Sequence, residues 1–132
     1  MNITGQCHCG AIAYRARLVS TAIAICHCTD CQALSGSPYR ATATARAADF
    51  DITRGAPAAY VKTGDSGRQS TQYFCRVCGA QLFRRGEGED AIGIRIGTIT
   101  ERHALAPEGQ SYLRSALPFA ILAGVPEAAD DA

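Results

Sequence analysis

The sequence predicts a mainly β domain with one short helix, cross-linked through its cysteines, and three observations carry that expectation. Apolar and polar residues alternate along several short segments, glycine-rich turns separate those segments, and seven cysteines fall in three tight clusters. The clearest alternation sets Ile92, Ile94 and Ile96 against Gly93, Arg95 and Gly97, the period-2 pattern of a strand with one buried face. Weaker alternation runs through Ala11 to Val19, with Ile12 and Tyr14 among the apolar positions, and through Tyr39 to Arg46, Ala58 to Thr63, Gln69 to Phe74 and Gln81 to Arg85. The alanine- and threonine-rich stretch Ala41 to Ala48 reads as a weak strand or a turn into one. Arg54-Gly55-Ala56-Pro57, Gly64-Asp65-Ser66-Gly67 and Gly86-Glu87-Gly88-Glu89-Asp90 supply the turns. One helix is expected, over Thr29 to Ser35, with Thr29 or Asp30 as its cap and Gly36 in the left-handed position at its end.

A chain of 132 residues is sized for a single domain, expected over residues 1–125. The remainder, 126–132, is small, acidic and uncapped, and reads as a flexible tail fraying into solvent. With 13 Lys and Arg against 12 Asp and Glu the net charge is +1, which gives no field to attract nucleic acid or an anionic membrane. No secretory signal is visible at the N-terminus. The longest apolar run, Ala116 to Val125, is broken by Pro118 and Gly124 and is too short to span a bilayer. A cytoplasmic protein is the expectation.

A reducing compartment keeps thiols reduced, so closely spaced cysteines there are metal ligands rather than disulfides, and an odd count leaves one thiol over in any all-disulfide scheme. In extended chain, side chains at i and i+2 project to one side. Cys7 with Cys9, and Cys26 with Cys28, can therefore each chelate one ion while His8 and His27 point away. Cys9 and Cys78 are each followed by glycine, which allows the chain to curl left-handed around an ion and offer amides to sulfur. That similarity joins Cys7, Cys9, Cys75 and Cys78 into one closed tetrahedral set of the kind that makes zinc structural. Cys26, Cys28 and Cys31 remain, at the start of the expected helix, where amides and the helix dipole favour thiolate. Three ligands leave a zinc coordination position open for chemistry. His103 is the remaining candidate for a fourth ligand, although its setting in Glu101-Arg102-His103 reads as a solvated turn.

Cys7-His8-Cys9-Gly10, then Cys26-His27-Cys28-Thr29-Asp30-Cys31 followed by Gln32-Ala33-Leu34-Ser35-Gly36, then Phe74-Cys75-Arg76-Val77-Cys78-Gly79 closely resemble the glutathione-dependent formaldehyde-activating enzyme and centromere protein V family. The resemblance extends from Gly5 to about Phe119. It implies an Mss4-like fold of coiled antiparallel sheets. It also implies two zincs per chain, a structural one on Cys7, Cys9, Cys75 and Cys78 and a catalytic one on Cys26, Cys28 and Cys31. The implied reaction adds the glutathione thiol to formaldehyde to give S-hydroxymethylglutathione, a carbon–sulfur lyase chemistry. Glutathione carries two carboxylates, and Arg40, Arg46, Arg84, Arg85, Arg95 and Arg114 are the cations available to meet them. Ser35 and Gly36 follow the three-cysteine cluster closely enough to line the same pocket. Where the family often has tryptophan near the C-terminus, this chain reads Leu117-Pro118-Phe119. Two other functions fit the same residues: a non-catalytic zinc-stabilised module that binds proteins or carries a thiol adduct, and a thiol oxidoreductase cycling Cys28 and Cys31.

Overall fold

The computed structural model describes residues 1–130, and the described residues form nine strands and one α-helix. The strands are β1 (Asn2–Gln6), β2 (Ala13–Leu18), β3 (Ala22–Cys26), β4 (Arg40–Arg54), β5 (Ala58–Thr63), β6 (Gln69–Phe74), β7 (Gln81–Gly86), β8 (Ala91–Arg95) and β9 (Ala106–Ser111). The sheet order is β1-β2-β4-β8-β7-β6-β5, with every pair in this path antiparallel. β3 lies beside β4 and pairs on its other side with β9, the one parallel pair of strands among the described residues.

β4 organises the fold. One of its edges carries β8 over residues 42–46, while the other is shared between β3 at its start and β2 at its end. The sequence reading ends this strand near Arg46, but pairing continues to Arg54. Most of the added half is exposed on both faces, so no alternation marks it; register shifts against β2 keep it paired instead.

The period-2 rule separates two kinds of surface. On one face Ile23 and Ile25 of β3, Ala43 and Ala45 of β4, Ile92 and Ile94 of β8 and Phe83 of β7 are buried in a single apolar core. An aromatic series crosses that core, with ring centroids 5.4 Å apart for Tyr14 and Phe50, 4.6 Å for Phe50 and Phe83, and 4.5 Å for Phe83 and Tyr73. The alternate positions, Cys26, Arg40, Thr42, Gly93 and Arg95, face a pocket instead. β8 is thus buried on both faces, not on the one face expected, and Ile96 leaves the strand for a 3-10 turn over Ile96–Thr98.

The helix α1 spans Thr29–Ser35 as expected and ends on Gly36 in the left-handed conformation, at φ 64°. Its N-cap differs from the expectation: Cys28 occupies it, with Sγ accepting from the Cys31 amide at 3.3 Å. β1, β3 and β9 are absent from the sequence reading. β9 contains Pro107 and Gly109, which depress strand propensity. β1 has one strongly apolar side chain, Ile3, and β3 alternates isoleucine with alanine, so neither shows an apolar–polar period.

The C-terminal segment also differs from its reading as a fraying end. The Gln110 amide donates to the Pro126 carbonyl and the Ala128 amide donates to the Gln110 carbonyl, while the Asp130 carboxylate accepts from the Tyr112 amide and pairs with Arg114. These bonds hold the Asp130 carboxyl below the usual range, the Tyr112 amide contributing most. The expectation for Asp131 and Ala132 lies outside the described residues. Among the described residues no helix is long and apolar enough to cross a membrane.

Gly5 is a point of close approach, because a Cβ there would lie 2.2 Å from the Tyr14 ring and 2.5 Å from the Thr98 carbonyl oxygen. Tyr14 is only 1% exposed and its hydroxyl is 2.7 Å from Thr98 Oγ1, so it has little room to yield. Burial, only partly offset by that hydrogen bond, pushes its phenol up to about 12. Gly5→Ala is expected to destabilise the domain by about 1–3 kcal/mol, read as a lower Tm in thermal denaturation. An unchanged Tm would show that Tyr14 does not pack across Gly5.

Candidate metal centres

Two reverse turns, each entered from a strand, bring four thiols together. In the first, the Cys7 amide donates to the Ile12 carbonyl and the Gly10 amide to the Cys7 carbonyl. In the second, the Cys75 amide donates to the Ala80 carbonyl and the Gly79 amide to the Cys75 carbonyl, one residue further back than in the first. Gly10 and Gly79 sit at φ 78° and 77°, the left-handed curl read from the sequence. The amides of Ile12 and Cys78 donate to the sulfurs of Cys7 and Cys75, and those of Cys9 and Ala80 hold the Cys78 thiol down to about 6. All four sulfurs lie within 4.8 Å of one another. The Cys7–Cys9 and Cys9–Cys75 sulfur separations are both 3.7 Å. A tetrahedron with metal–sulfur bonds of about 2.3 Å has edges of about 3.8 Å, whereas a disulfide is about 2.05 Å. The donor set, its spacing and its amide contacts fit a zinc.

Cys26, Cys28 and Cys31 form a second group, their sulfurs also within 4.8 Å of one another. β3 delivers Cys26, the cap position of α1 delivers Cys28, and the first turn of the helix delivers the buried Cys31. The three thiols titrate as a unit. Hydrogen bonds from Cys26 and Cys31 pull Cys28 far below the ordinary thiol range, while hydrogen bonds with Cys26 and Cys28, together with burial, push Cys31 up. Three converging sulfurs at this spacing are a donor set that fits a soft divalent cation. Unlike the first group it has no fourth protein thiol.

The second group opens into a pocket of about 270 Å³ on the polar face of the sheet. Arg40 and Arg95 form its floor, 8% and 6% exposed, and both donate to Gln72 Oε1, at 3.1 and 3.0 Å. Burial, reinforced by the neighbouring Arg40 charge, lowers the Arg95 guanidinium to about 9, which leaves it protonated at neutral pH. Lys62, Arg68 and Arg84 stand nearer the rim; Lys62 is bonded to Asp30 at 3.1 Å and both arginines to Glu89. Gly93 lets Arg84 cross the sheet, since a Cβ there would lie 3.0 Å from the Arg84 Cδ.

Of the six arginines read from the sequence as anion partners, Arg40, Arg84 and Arg95 line this pocket and Arg114 lines a smaller one beside Cys28. Arg46 and Arg85 lie elsewhere, bonded to Asp90 and to the Glu89 carbonyl. Lys62, Arg68 and Gln72 were not singled out; no motif marks them, and only strand pairing brings them to the cysteines. Ser35 and Gly36 line neither pocket: the Ser35 hydroxyl donates to the Cys31 carbonyl and Gly36 ends the helix. His27 is fully buried, its Nε2 2.9 Å from Gln110 Oε1. That oxygen can only accept, so Nε2 carries the proton, and the ring takes no part in the sulfur group. Neither His8 nor His103 joins a cluster of possible ligands among the described residues. Leu117, Pro118 and Phe119, in place of the tryptophan, lie outside both pockets, and Phe119 is 82% exposed.

Fold and sites together define a cysteine-rich β domain with two thiol groups that could each hold a metal, one closed and one open. More particularly, the chain belongs to the glutathione-dependent formaldehyde-activating enzyme family, whose model matches residues 2–115. The architecture is that of the Mss4-like fold which the resemblance implies. A crystal structure of a Rhodobacter sphaeroides protein is similar in fold, with a TM-score of 0.61 at 24% identity over 95% of this chain and 99% of that one. No curated protein matches the sequence.

The two groups should respond differently to substitution. Cys75→Ser is expected to prevent stable folding, because a zinc held by the four thiols would contribute roughly 10 kcal/mol, comparable to a domain's whole stability. Cys28→Ser keeps a good helix cap and is expected to leave the Tm within a few degrees of wild type. Circular dichroism melts of both variants check this, and equal Tm values would contradict the division.

Proposed function

We propose that this protein is a zinc-dependent carbon–sulfur lyase-type enzyme that joins a thiol, glutathione or a similar one, to formaldehyde or a related small electrophile at the Cys26, Cys28 and Cys31 group. One observation carries this reading: the three-thiol group opens onto a cation-lined pocket, whereas the four-thiol group is complete in itself. Family membership supports the same chemistry. In this reading Cys7, Cys9, Cys75 and Cys78 hold a structural zinc and the chain carries two zincs. A zinc on the three thiols would supply the Lewis acidity that keeps an incoming thiol as thiolate at neutral pH. Cys26, Cys28 and Cys31 are its ligands, and the Cys31 amide steadies the Cys28 sulfur from behind. Lys62, Arg68 and Arg84 at the rim meet the carboxylates of the thiol substrate and orient its sulfur toward the cysteines. The thiol sulfur forms a bond to the aldehyde carbon, the C=O π pair moves to the carbonyl oxygen, and that oxygen takes up the proton the thiol gave off, becoming a hydroxyl. A reducing compartment such as the cytoplasm preserves the free thiols this requires.

Elemental analysis of anaerobically purified protein tests the reading. Two zincs per chain are expected in wild type and one in Cys28→Ser, with glutathione slowing removal of the second zinc by a chelator. Wild type should accelerate S-hydroxymethylglutathione formation above the solution rate, and the variant should not. A single zinc, unaffected by the substitution or by thiol, would favour a structural domain in which Cys28 and Cys31 do redox chemistry or none.

A further inference from the structure

Arg40 and Arg95 are more than nine-tenths buried, and among the described residues neither has a carboxylate partner. Buried cations are ordinarily paired, because desolvating an unpaired charge is costly. Here two guanidinium groups share one neutral acceptor, Gln72 Oε1, and Arg95 adds a bond to Thr42 Oγ1 at 2.6 Å. Arg95 Nε is buried with no hydrogen-bond partner. Strand pairing fixes both groups beside the sulfurs: Arg40 lies directly opposite Cys26, and Arg95 opposite Thr42 on the next strand. Both act electrostatically on the Cys31 thiol.

The carboxylates near the pocket are taken up at its rim, Asp30 by Lys62 and Glu89 by Arg68 and Arg84, so none reaches the floor.

We propose that the floor formed by Arg40 and Arg95 is a carboxylate site, and that the electrophile taken here is an aldehyde with a carboxylate next to its carbonyl, of which glyoxylate is the simplest. The substrate half of this proposal rests on the thiol-addition reading above; the carboxylate site itself does not. A forked guanidinium pair matches the planar anion, which neutral formaldehyde cannot use. The addition balances without a redox partner: sulfur bonds to the aldehyde carbon, the C=O π pair moves to oxygen, and that oxygen takes the thiol's proton to give a 2-hydroxy-2-thio acid.

The test uses zinc-loaded full-length protein and oxamate, a carboxylate of the same shape that thiols do not attack. Calorimetry should show oxamate binding, weakened about tenfold or more in Arg40→Gln and Arg95→Gln, the loss expected for a charge-assisted hydrogen bond to a buried cation. Arg95→Lys, which keeps the charge and loses the fork, should bind more weakly than wild type with its zinc content unchanged. Labelled glyoxylate with glutathione, followed by carbon NMR, should saturate and be inhibited competitively by oxamate. Oxamate that does not bind, or that binds wild type and all three variants alike, overturns the site, even if glutathione and formaldehyde react on the protein. Oxamate binding that depends on the two arginines supports the site, even if no thiol addition is accelerated; that result would count against the proposed function alone.

Discussion

Four sulfurs that must meet at one point constrain everything else in this domain. Cys9 and Cys75 are 66 positions apart, yet their sulfurs lie 3.7 Å from each other. A metal held by all four thiols would cross-link so long a loop that it removes much of the entropy of the unfolded chain, as a disulfide of that span would. It would fix the turn after β1 against the turn after β6, with the intervening strands closing the sheet between them. The two turns share a closing bond, from the first cysteine's amide to a carbonyl beyond the glycine, and a left-handed glycine, although the second turn is one residue longer between cysteine and glycine.

The sheet that results has two different faces made from the same strands. Isoleucine and alanine on one parity build the core, while cysteine, threonine, arginine and glycine on the other build the pocket floor. A one-residue slip of β4 against β8 would exchange these sets, placing guanidinium groups in the core and isoleucines in the pocket. Register is therefore specified with unusual force, and the chemistry of the pocket inherits its precision from the packing of the core behind it.

Much of this was legible beforehand, and the reasons for the remainder are physical. The cysteine partition could be read because glycine after Cys9 and Cys78 reports a backbone conformation, which is local information. The helix over Thr29 to Ser35 could be read because its stop signal, Gly36, is also local. β9 was not legible, since its Pro107 and Gly109 are tolerated only through parallel pairing with β3, a contact between distant segments. Arg40 and Arg95 stood among six candidate arginines with nothing to separate them until strand pairing set them beside Cys26 and Thr42. The C-terminal end looked solvated by composition, yet backbone pairing with Gln110, which composition does not encode, ties it down.

Gln110 has a consequence for the order in which the molecule is completed. Its buried amide accepts from His27, between Cys26 and Cys28, and donates to the carbonyls of Leu122 and Val125. The loop that carries the three thiols is therefore fastened by a segment that follows it far along the chain, whereas the four-thiol group has all its parts once residue 78 has emerged. The two sites can therefore mature in sequence during synthesis: the four-thiol group can assemble before Gln110 has been made, and the open site acquires its fastening only after residue 125 has followed.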